Sequence, residues 1–457
     1  MEKIGSIMSN KKKVDIVIVG AGLAGLTAAL ELKKLNYSFV VLEARNRPGG
    51  RIHSTVTSDN VTIDLGAQWI GPHHKRMMRL IAEYGLQLIP TYRTGNTIYE
   101  MKGKRKKTKG KLPTLSPIAI ADIMKMKRKI DKISRKVPFD TPWTSKLAQQ
   151  LDKITLAEFI KTNSHTKAGM SFSKLLIEEA LCANLYEVSA LDFLWCIRAA
   201  GSIDHLLAAE DYWIAEGAET LINRIAESLG ETIHLNQPVL RVMYDEKTVT
   251  VYTEKESWQA KKVIVTTPPN LLTRICFDPP LPASRVQLSE RAGLPSVIKM
   301  ICVYDQPFWR EGGLSGTAYS DQNPVKLTID SSPLDGRRGV LTVLIGGDSA
   351  RQIESLPLES KQVEIKKALV RLLGEKAAFP IEMFEKDWSA EEWTRGGYGT
   401  HFATGVISQF GASLNSPIGP IHWAGTETAS EWRMYMEGAI QSAERVTVEV
   451  INAIIKE

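Results

Sequence analysis

Residues 14–51 constrain the fold of this chain most, because a strand, a glycine turn, a helix and a second strand follow one another there. The apolar run at 14–19 leads directly into Gly20, Gly22 and Gly25, after which helical periodicity begins. In this context the first glycine permits a tight turn, the second lets backbone approach a pyrophosphate, and the third lets helix and strand pack closely. N–H groups at the start of the helix would face the anion. The stretch therefore predicts a binding site for dinucleotide phosphates.

The residues that follow the second strand indicate which dinucleotide is bound. That strand, at 38–42, ends at Glu43, which stands where an acidic residue is expected to accept hydrogen bonds from a ribose. An acid at this position argues against a 2′-phosphate. A second glycine turn among arginines comes next and favours FAD over a nicotinamide dinucleotide; the cofactor contacts predicted in it are Ala44, Arg45, Gly50 and Arg51. The alternative is a solvated arginine-rich loop.

Composition is that of an ordinary globular enzyme. The chain has 457 residues, 43% of them hydrophobic and 24% charged, which predicts two or three domains. Much of the net charge of +7 comes from one basic run at 102–111, KGKRKKTKGK. We interpret this run as the charged tip of a hairpin or loop, and a nucleic-acid or membrane-surface patch as the alternative.

Cysteine usage and hydropathy bear on the compartment. The four cysteines are far apart and lack metal-ligand spacing, and the adjacent His73 and His74 have no third ligand type nearby, so no metal is predicted. Residues 1–10 lack the apolar core of a signal peptide, and no run of about 18 apolar residues occurs. We expect a soluble, cytoplasmic protein.

The rest of the chain alternates between patterns. Helical periodicity covers residues 118–207, and short strands return at 237–244, 249–253 and 262–265. The double proline after the last of these strands is interpreted as a mark of the sheet edge. We therefore expect a mixed α/β protein.

One lysine breaks the pattern of a later strand. Alternation puts Lys299 on the same face as Val297, Ile301 and Val303. Either its ammonium group reaches an edge of the sheet, or it is held at a site that needs a cation or an amine of depressed pKa.

Six motifs together resemble the monoamine oxidases of the flavin amine oxidase family: GAGLAGL, LEARNRPGGR, LGAQWIGP, SVIKM with PFW, AGTET and YMEGA. The resemblance runs almost end to end. It implies an α/β fold in which a discontinuous Rossmann-type FAD-binding domain is interleaved with an α+β substrate domain. The FAD-binding parts would be 11–82, 214–288 and 393–457, and the substrate-domain parts 83–213 and 289–392.

The resemblance also implies roles for individual residues. Lys299 would hold a water near flavin N5, Trp388 would lie beside the isoalloxazine, and Tyr435 would form one wall of an aromatic cage for the amine. The helix that begins near Tyr435 would point its N-terminus at the flavin. Further cofactor contacts are expected from Gly66, Ala67, Gln68, Val239, Gly425, Thr426, Glu427 and Met436.

Two departures from the family pattern lie in one loop. Tyr398 stands where the mammalian enzymes have the cysteine that joins the flavin covalently, so FAD is expected to be non-covalent. Gly399 stands where they have the second cage tyrosine, so either Tyr398 takes that role or the pocket is half open there. The C-terminal membrane helix of the mammalian enzymes is missing from this sequence, so no membrane attachment is expected.

The activity implied is oxidation of an amine to an imine by FAD, with oxygen reduced to hydrogen peroxide. The expected partners are a small amine and oxygen, with a possible homodimer and no nucleic acid. An L-amino-acid oxidase is an alternative that needs a cation for the carboxylate, with Arg198 and Arg433 as candidates. A polyamine oxidase is disfavoured because the basic run would repel polycations near an entrance. From another class, the chain could be an inert flavin-binding protein whose basic run docks an acidic partner.

Overall fold

The computed structural model describes residues 11–110 and 112–456. Predictions for residues 1–10, for Lys111 at the end of the basic run and for Glu457 lie outside the described residues. The strands, in chain order, are β1 Lys12–Lys13, β2 Ile16–Val19, β3 Phe39–Leu42, β4 Ser54–Val56, β5 Thr62–Asp64, β6 Trp69–Ile70, β7 Leu88–Pro90, β8 Asn96–Met101, β9 Lys104–Lys109, β10 Tyr212–Ile214, β11 Ile233–His234, β12 Arg241–Tyr244, β13 Val249–Tyr252, β14 Ser257–Ala260, β15 Lys262–Val265, β16 Cys276–Asp278, β17 Ala292–Gly293, β18 Val297–Tyr304, β19 Leu314–Ser320, β20 Leu327–Asp330, β21 Gly339–Gly346, β22 Glu382–Asp387, β23 His401–Phe402 and β24 Ile421–Trp423.

The helices are α1 Leu23–Lys34, α2 Lys75–Glu83, α3 Pro117–Ser134, α4 Lys146–Leu151, α5 Leu156–Asn163, α6 Lys167–Leu181, α7 Ala190–Ala200, α8 Ile203–Leu207, α9 Ala218–Leu229, α10 Ala283–Glu290, α11 Phe308–Glu311, α12 Asp348–Ile353, α13 Leu358–Leu373, α14 Val406–Phe410 and α15 Met436–Lys456. Within residues 11–110 and 112–456, none of these helices combines the length and the hydropathy that crossing a bilayer requires.

A parallel sheet carries the glycine turn predicted from the sequence. Its strand order is β11-β3-β2-β15-β24, and every neighbouring pair is parallel. All residues of β2 and β3 are buried, as their continuous apolar runs require in a sheet covered on both faces. Helices α1 and α15 pack against each other beside this sheet.

The interpretation of β15 as a sheet edge is wrong. This strand lies between β2 and β24 and pairs with both. Pro268 and Pro269 come after the strand has ended, so they remove no hydrogen bond from the ladder.

A second, seven-stranded sheet has the order β22-β18-β21-β20-β19-β8-β9. Strand β18, which contains Lys299, is paired on both sides, and all eight of its residues are buried. The hairpin predicted for the basic run is confirmed as β8 and β9, and its lysines extend along the edge strand β9. Lysines on an exposed edge oppose pairing with other chains.

The helical region α3–α8 forms a core of its own, and Trp432 and Tyr435 from the C-terminal segment pack on it. Its helices begin at serine or threonine residues whose side chains accept a hydrogen bond from the third residue of each helix. Such a cap contributes about 1 kcal/mol per helix. The cap predicted at Thr155 is one of them.

Candidate active site

The three predicted glycines occupy three different environments at the end of β2. A side-chain carbon on Gly20, whose φ is +103°, would lie 2.7 Å from Thr266 Oγ1, and one on Gly25 would lie 1.9 Å from the Gly20 carbonyl oxygen. A carbon on Gly22 would meet nothing within 4 Å, and Gly22 caps α1. Gly20 and Gly25 therefore close the turn, while Gly22 opens toward a space that a ligand can enter.

That space is a cavity of about 420 Å³ beside the parallel sheet. Most residues predicted to contact the cofactor line it: Gly20, Gly22, Glu43, Ala44, Arg45, Gly50, Arg51, Ala67, Val239, Gly425, Thr426, Tyr435 and Met436. The fold thus brings together side chains that are up to four hundred residues apart in the sequence.

Glu43 is fixed at the end of β3. Its carboxylate accepts hydrogen bonds from the backbone N–H groups of Ala21 at 2.7 Å and Arg45 at 2.9 Å. The Arg45 guanidinium is held by Glu391 at 3.2 Å and by Thr394 Oγ1 at 2.5 Å. Both side chains are therefore oriented before any ligand binds.

Arg51 and Glu427 form a buried pair at the other side of the turn. Arg51 Nη1 donates to Glu427 Oε1 at 2.7 Å and to the Tyr398 carbonyl oxygen at 2.8 Å. Burial opposes ionisation of Glu427, but Arg51 holds the pKa of this carboxyl below its usual value. Arg51 lines the cavity and Glu427 does not, so Glu427 orients the arginine. Arg47 donates to the carbonyl oxygens of neighbouring loop residues and fixes the turn itself.

Lys299 is completely buried, so the idea that its ammonium group reaches a sheet edge is wrong. Nζ donates to the Gly66 carbonyl oxygen and to Gln68 Oε1, each at 3.0 Å, and lies 4.9 Å from the Trp69 ring centroid. Burial lowers the pKa of Lys299 to about 8, against the attraction of Asp64 and Glu210.

Gly66, Gln68 and Trp388 support the site from behind instead of lining the cavity, contrary to expectation. A side-chain carbon on Gly66 would lie 2.2 Å from the Arg51 carbonyl oxygen and 3.0 Å from Trp388 Cζ2. Trp388 is fully buried, and its Nε1 donates to the Leu65 carbonyl oxygen at 3.0 Å. The small residue at 66 therefore serves protein packing.

Two tyrosines line the same end of the cavity. Tyr398 and Tyr435 both border it, and burial raises the pKa of each phenol above its usual value, so both remain neutral. The open corner expected at Gly399 is filled: a side-chain carbon there would lie 2.2 Å from Met434 Cγ. The half-open pocket is therefore wrong.

The candidate carboxylate-binding arginines do not line the cavity. Arg433 is fully buried, donates to Asp192 Oδ1 at 3.2 Å and lies 3.8 Å from the Trp195 ring centroid. Arg198 lies 5.5 Å from the Phe139 ring centroid.

The two histidines considered as metal ligands pack against aromatic rings. His73 stacks on His205 at 3.7 Å, and His74 is buried against Trp432 at 4.2 Å. Burial lowers the pKa of His74 to about 3. No cluster of three or more possible metal ligands occurs among the described residues.

Sequence reasoning missed the residues that follow β15. Thr266, Thr267 and Pro268 line the cavity, and Thr266 Oγ1 donates to the Val19 carbonyl oxygen at 2.9 Å. A signal was available, since ligands of parallel sheets bind at the carboxyl ends of the strands. Interpreting β15 as an edge hid that signal.

Comparisons with known proteins agree with this geometry. A family model for flavin-containing amine oxidoreductases matches residues 23–451. Amine oxidase [flavin-containing] B of Sus scrofa is 34% identical over 453 residues, covering 97% of this chain and 87% of that protein. The Homo sapiens protein of the same name is 34% identical over 458 residues, covering 98% and 88%.

Solved structures give the same result. Putrescine oxidase bound to putrescine has a TM-score of 0.92 and 31% identity, covering 97% of this chain and 100% of that one. Cyclohexylamine oxidase from Brevibacterium oxydans has a TM-score of 0.91 and 28% identity, covering 97% and 99%. The glycine turn, the acid at the end of β3 and the open space at Gly22 fit the FAD that this family uses. The chain therefore belongs to the flavin-containing amine oxidoreductases and is an FAD-dependent amine oxidase.

Proposed function

We propose that this enzyme oxidises a primary or secondary amine at the carbon next to nitrogen. The amine loses two electrons and two hydrogens and becomes an imine, which water hydrolyses to an aldehyde and ammonia or a smaller amine. Oxygen accepts the two electrons and two protons and leaves as hydrogen peroxide. The relatives named for putrescine and cyclohexylamine support a small aliphatic amine.

The observation that carries the proposal is that Tyr398 and Tyr435 border the same cavity as the glycine turn. Two neutral aromatic walls orient an amine nitrogen and keep water away from it. A pocket with little water favours the uncharged amine, whose nitrogen lone pair assists loss of hydrogen from the neighbouring carbon. Tyr398 thus takes the role of the second cage aromatic.

FAD supplies the two-electron acceptor when it is bound. Glu43 would hold the ribose, Gly20 and Gly22 with the N-terminus of α1 the pyrophosphate, and Val239 the adenine. Gly425, Thr426 and Met436 would hold the flavin. We propose non-covalent binding, since the described residues of the loop around Tyr398 contain no cysteine.

The parallel sheet supports the proposed division into domains. Its strands come from within the ranges 11–82, 214–288 and 393–457, which we assign to a Rossmann-type FAD-binding domain. The seven-stranded sheet and helices α3–α8 fall almost entirely in 83–213 and 289–392, which we assign to the substrate domain.

Lys299 is proposed to act on the oxygen step. Its ammonium group has two protein acceptors and three protons, so one N–H remains to hold a water. A cation or a water held there would stabilise negative charge as electrons pass to oxygen.

An L-amino-acid oxidase is less well supported. Arg433 is paired with Asp192, and neither it nor Arg198 lines the cavity. The filled corner at Gly399 leaves no added room for a carboxylate.

An anaerobic comparison of phenethylamine with L-phenylalanine tests the proposal, because the two molecules differ only by the carboxylate. Bleaching of flavin absorbance by the amine, followed by peroxide formation when oxygen is admitted, is expected. Bleaching by the amino acid alone would favour the amino-acid oxidase. If a broad panel of amines and amino acids leaves the flavin oxidised, the interaction-protein alternative gains support.

A further inference from the structure

Two buried acidic residues near the cavity have no partner for their carboxylates. Glu179 lies in the last turn of α6 and is 9% exposed, and Glu210 lies between α8 and β10. The Glu210 carbonyl oxygen accepts from Thr91 Oγ1 at 2.6 Å and from Arg93 Nη2 at 3.2 Å. Neither carboxylate has a hydrogen bond or ion pair with another described residue. An ionised carboxylate buried without a partner is costly.

Both acids lie next to the wall that holds Tyr398. Tyr398, Tyr319 and Trp69 pack on one apolar cluster formed by Leu327, Ile329 and Leu344. Burial is the main cause of the raised pKa of Tyr319, and the charges of Glu210 and Glu179 raise it further. The charge of Glu210 has the same effect on the pKa of Tyr398 and of Tyr435. The two carboxylates therefore act on the tyrosines that would receive the amine.

Glu179 also lines a polar cavity of about 270 Å³. Four carboxylates and two lysines border this cavity: Glu178, Glu179, Asp321, Asp348, Lys174 and Lys326. Glu178 differs from its neighbour because it accepts from the Leu185 N–H at 3.3 Å and pairs with Lys174 at 3.7 Å. Burial raises the pKa of Glu179 to about 8, as expected for a carboxyl that lacks such partners. The cavity therefore favours a cation at Glu179.

The lysines and arginine near these acids are held by other groups. Lys299 donates to Gly66 and Gln68, and Lys326 Nζ donates to the Asp321 carbonyl oxygen at 3.0 Å. Arg93 lies 3.5 Å from the carboxylate of Asp211. The protein thus leaves both carboxylates available to a cation that arrives with the substrate.

We propose that Glu179 and Glu210 bind the second, charged ammonium group of a diamine substrate while Tyr398 and Tyr435 orient the first, uncharged amino group. The inference rests on the proposed amine oxidation and narrows its substrate class. It runs against the expectation that the basic run repels polycations. Charges inside the protein interact more strongly than charges on the solvated edge strand β9, so the interior acids outweigh that run.

The test compares cadaverine with n-hexylamine, in which a methyl group replaces the second amino group. Anaerobic stopped-flow gives the limiting rate of flavin reduction and the apparent Kd for each amine. The wild-type enzyme is expected to prefer the diamine by roughly ten- to hundred-fold in the ratio of rate to Kd, the range for charged hydrogen bonds. Equal values for the two amines would overturn the proposal.

Glu179→Gln and Glu210→Gln keep the size of each side chain and remove its charge. Each is expected to lower the preference for cadaverine by about tenfold or more, mainly through Kd. Reduction by n-hexylamine reports that the variant is folded and binds flavin. Glu178→Gln is the matched control, since it removes an adjacent charge that already has partners, and it should change the preference less than about threefold.

Retention of the full preference in both glutamine variants, or equal losses for both amines, would contradict the assignment of these acids. Failure of every amine to reduce the wild-type flavin would instead remove the proposed function, and the diamine inference with it. The two failures are therefore distinguishable.

Discussion

Lys299→Met removes the buried cation of β18 and keeps a side chain of similar length. Wild-type Lys299 has a pKa lowered by burial to about 8, so about nine-tenths of it is protonated at pH 7 and about one-tenth at pH 9. If the ammonium group stabilises charge as electrons pass to oxygen, reoxidation of the wild-type enzyme should slow about tenfold across this range.

The variant should lack both the rate and its pH dependence. Loss of a positioned electrostatic group costs roughly 10²–10³ in rate. We therefore expect reoxidation of Lys299→Met at pH 7 to fall by about that factor and to stay level up to pH 9. Reduction by the amine should fall much less, because the tyrosines that orient the amine are unchanged.

The assay reduces the enzyme with amine without oxygen, mixes it with oxygenated buffer and follows the return of flavin absorbance. Lys386→Met is the matched control, since Lys386 is the register partner of Lys299 on β22 and is paired with Glu391. Equal slowing of both half-reactions in Lys299→Met, or a pH inflection that persists in it, would refute the reasoning.

Acid precipitation should release FAD into the supernatant, and a yellow pellet would show a covalent bond instead. Glu43→Ala should weaken FAD affinity about ten- to hundred-fold in titrations of the apoprotein, since charge-assisted hydrogen bonds are lost; unchanged affinity would contradict the ribose role. Tyr435→Leu should slow anaerobic reduction by amine and leave reoxidation nearly intact, which stopped-flow of each half-reaction checks. Gly399→Ala should lower the free energy of unfolding by about 1–3 kcal/mol, because the added carbon would lie 2.2 Å from Met434, whereas Gly293→Ala, with nothing closer than 3.9 Å, should not.

The parts of the site that follow from local sequence were predicted well. The glycine turn, the strand before it and the acid after β3 lie within 30 residues of one another, and their spacing alone specifies their geometry. The aromatic wall at Tyr435 and the FAD cofactor came from the resemblance to a family.

Features that depend on distant parts of the chain were not predicted. The position of β15 inside the sheet depends on β24, which lies more than 150 residues later. The filled corner at Gly399 depends on Met434, and the displacement of Trp388 from the cavity depends on Gly66. Lys299 left two alternatives open because alternation specifies the face of a strand and not the residues packed against that face.

The composition of the parallel sheet has a consequence for how the polypeptide acquires its cofactor during synthesis. Strands β2 and β3 leave the ribosome first, yet their neighbour β15 is made more than 200 residues later and β24 close to the end of translation. Contacts between such distant segments form slowly and leave apolar strands exposed until their partners arrive. A nascent chain that has not yet reached β24 and α15 lacks one side of the cavity, so FAD capture should be a late event that follows completion of nearly the whole chain.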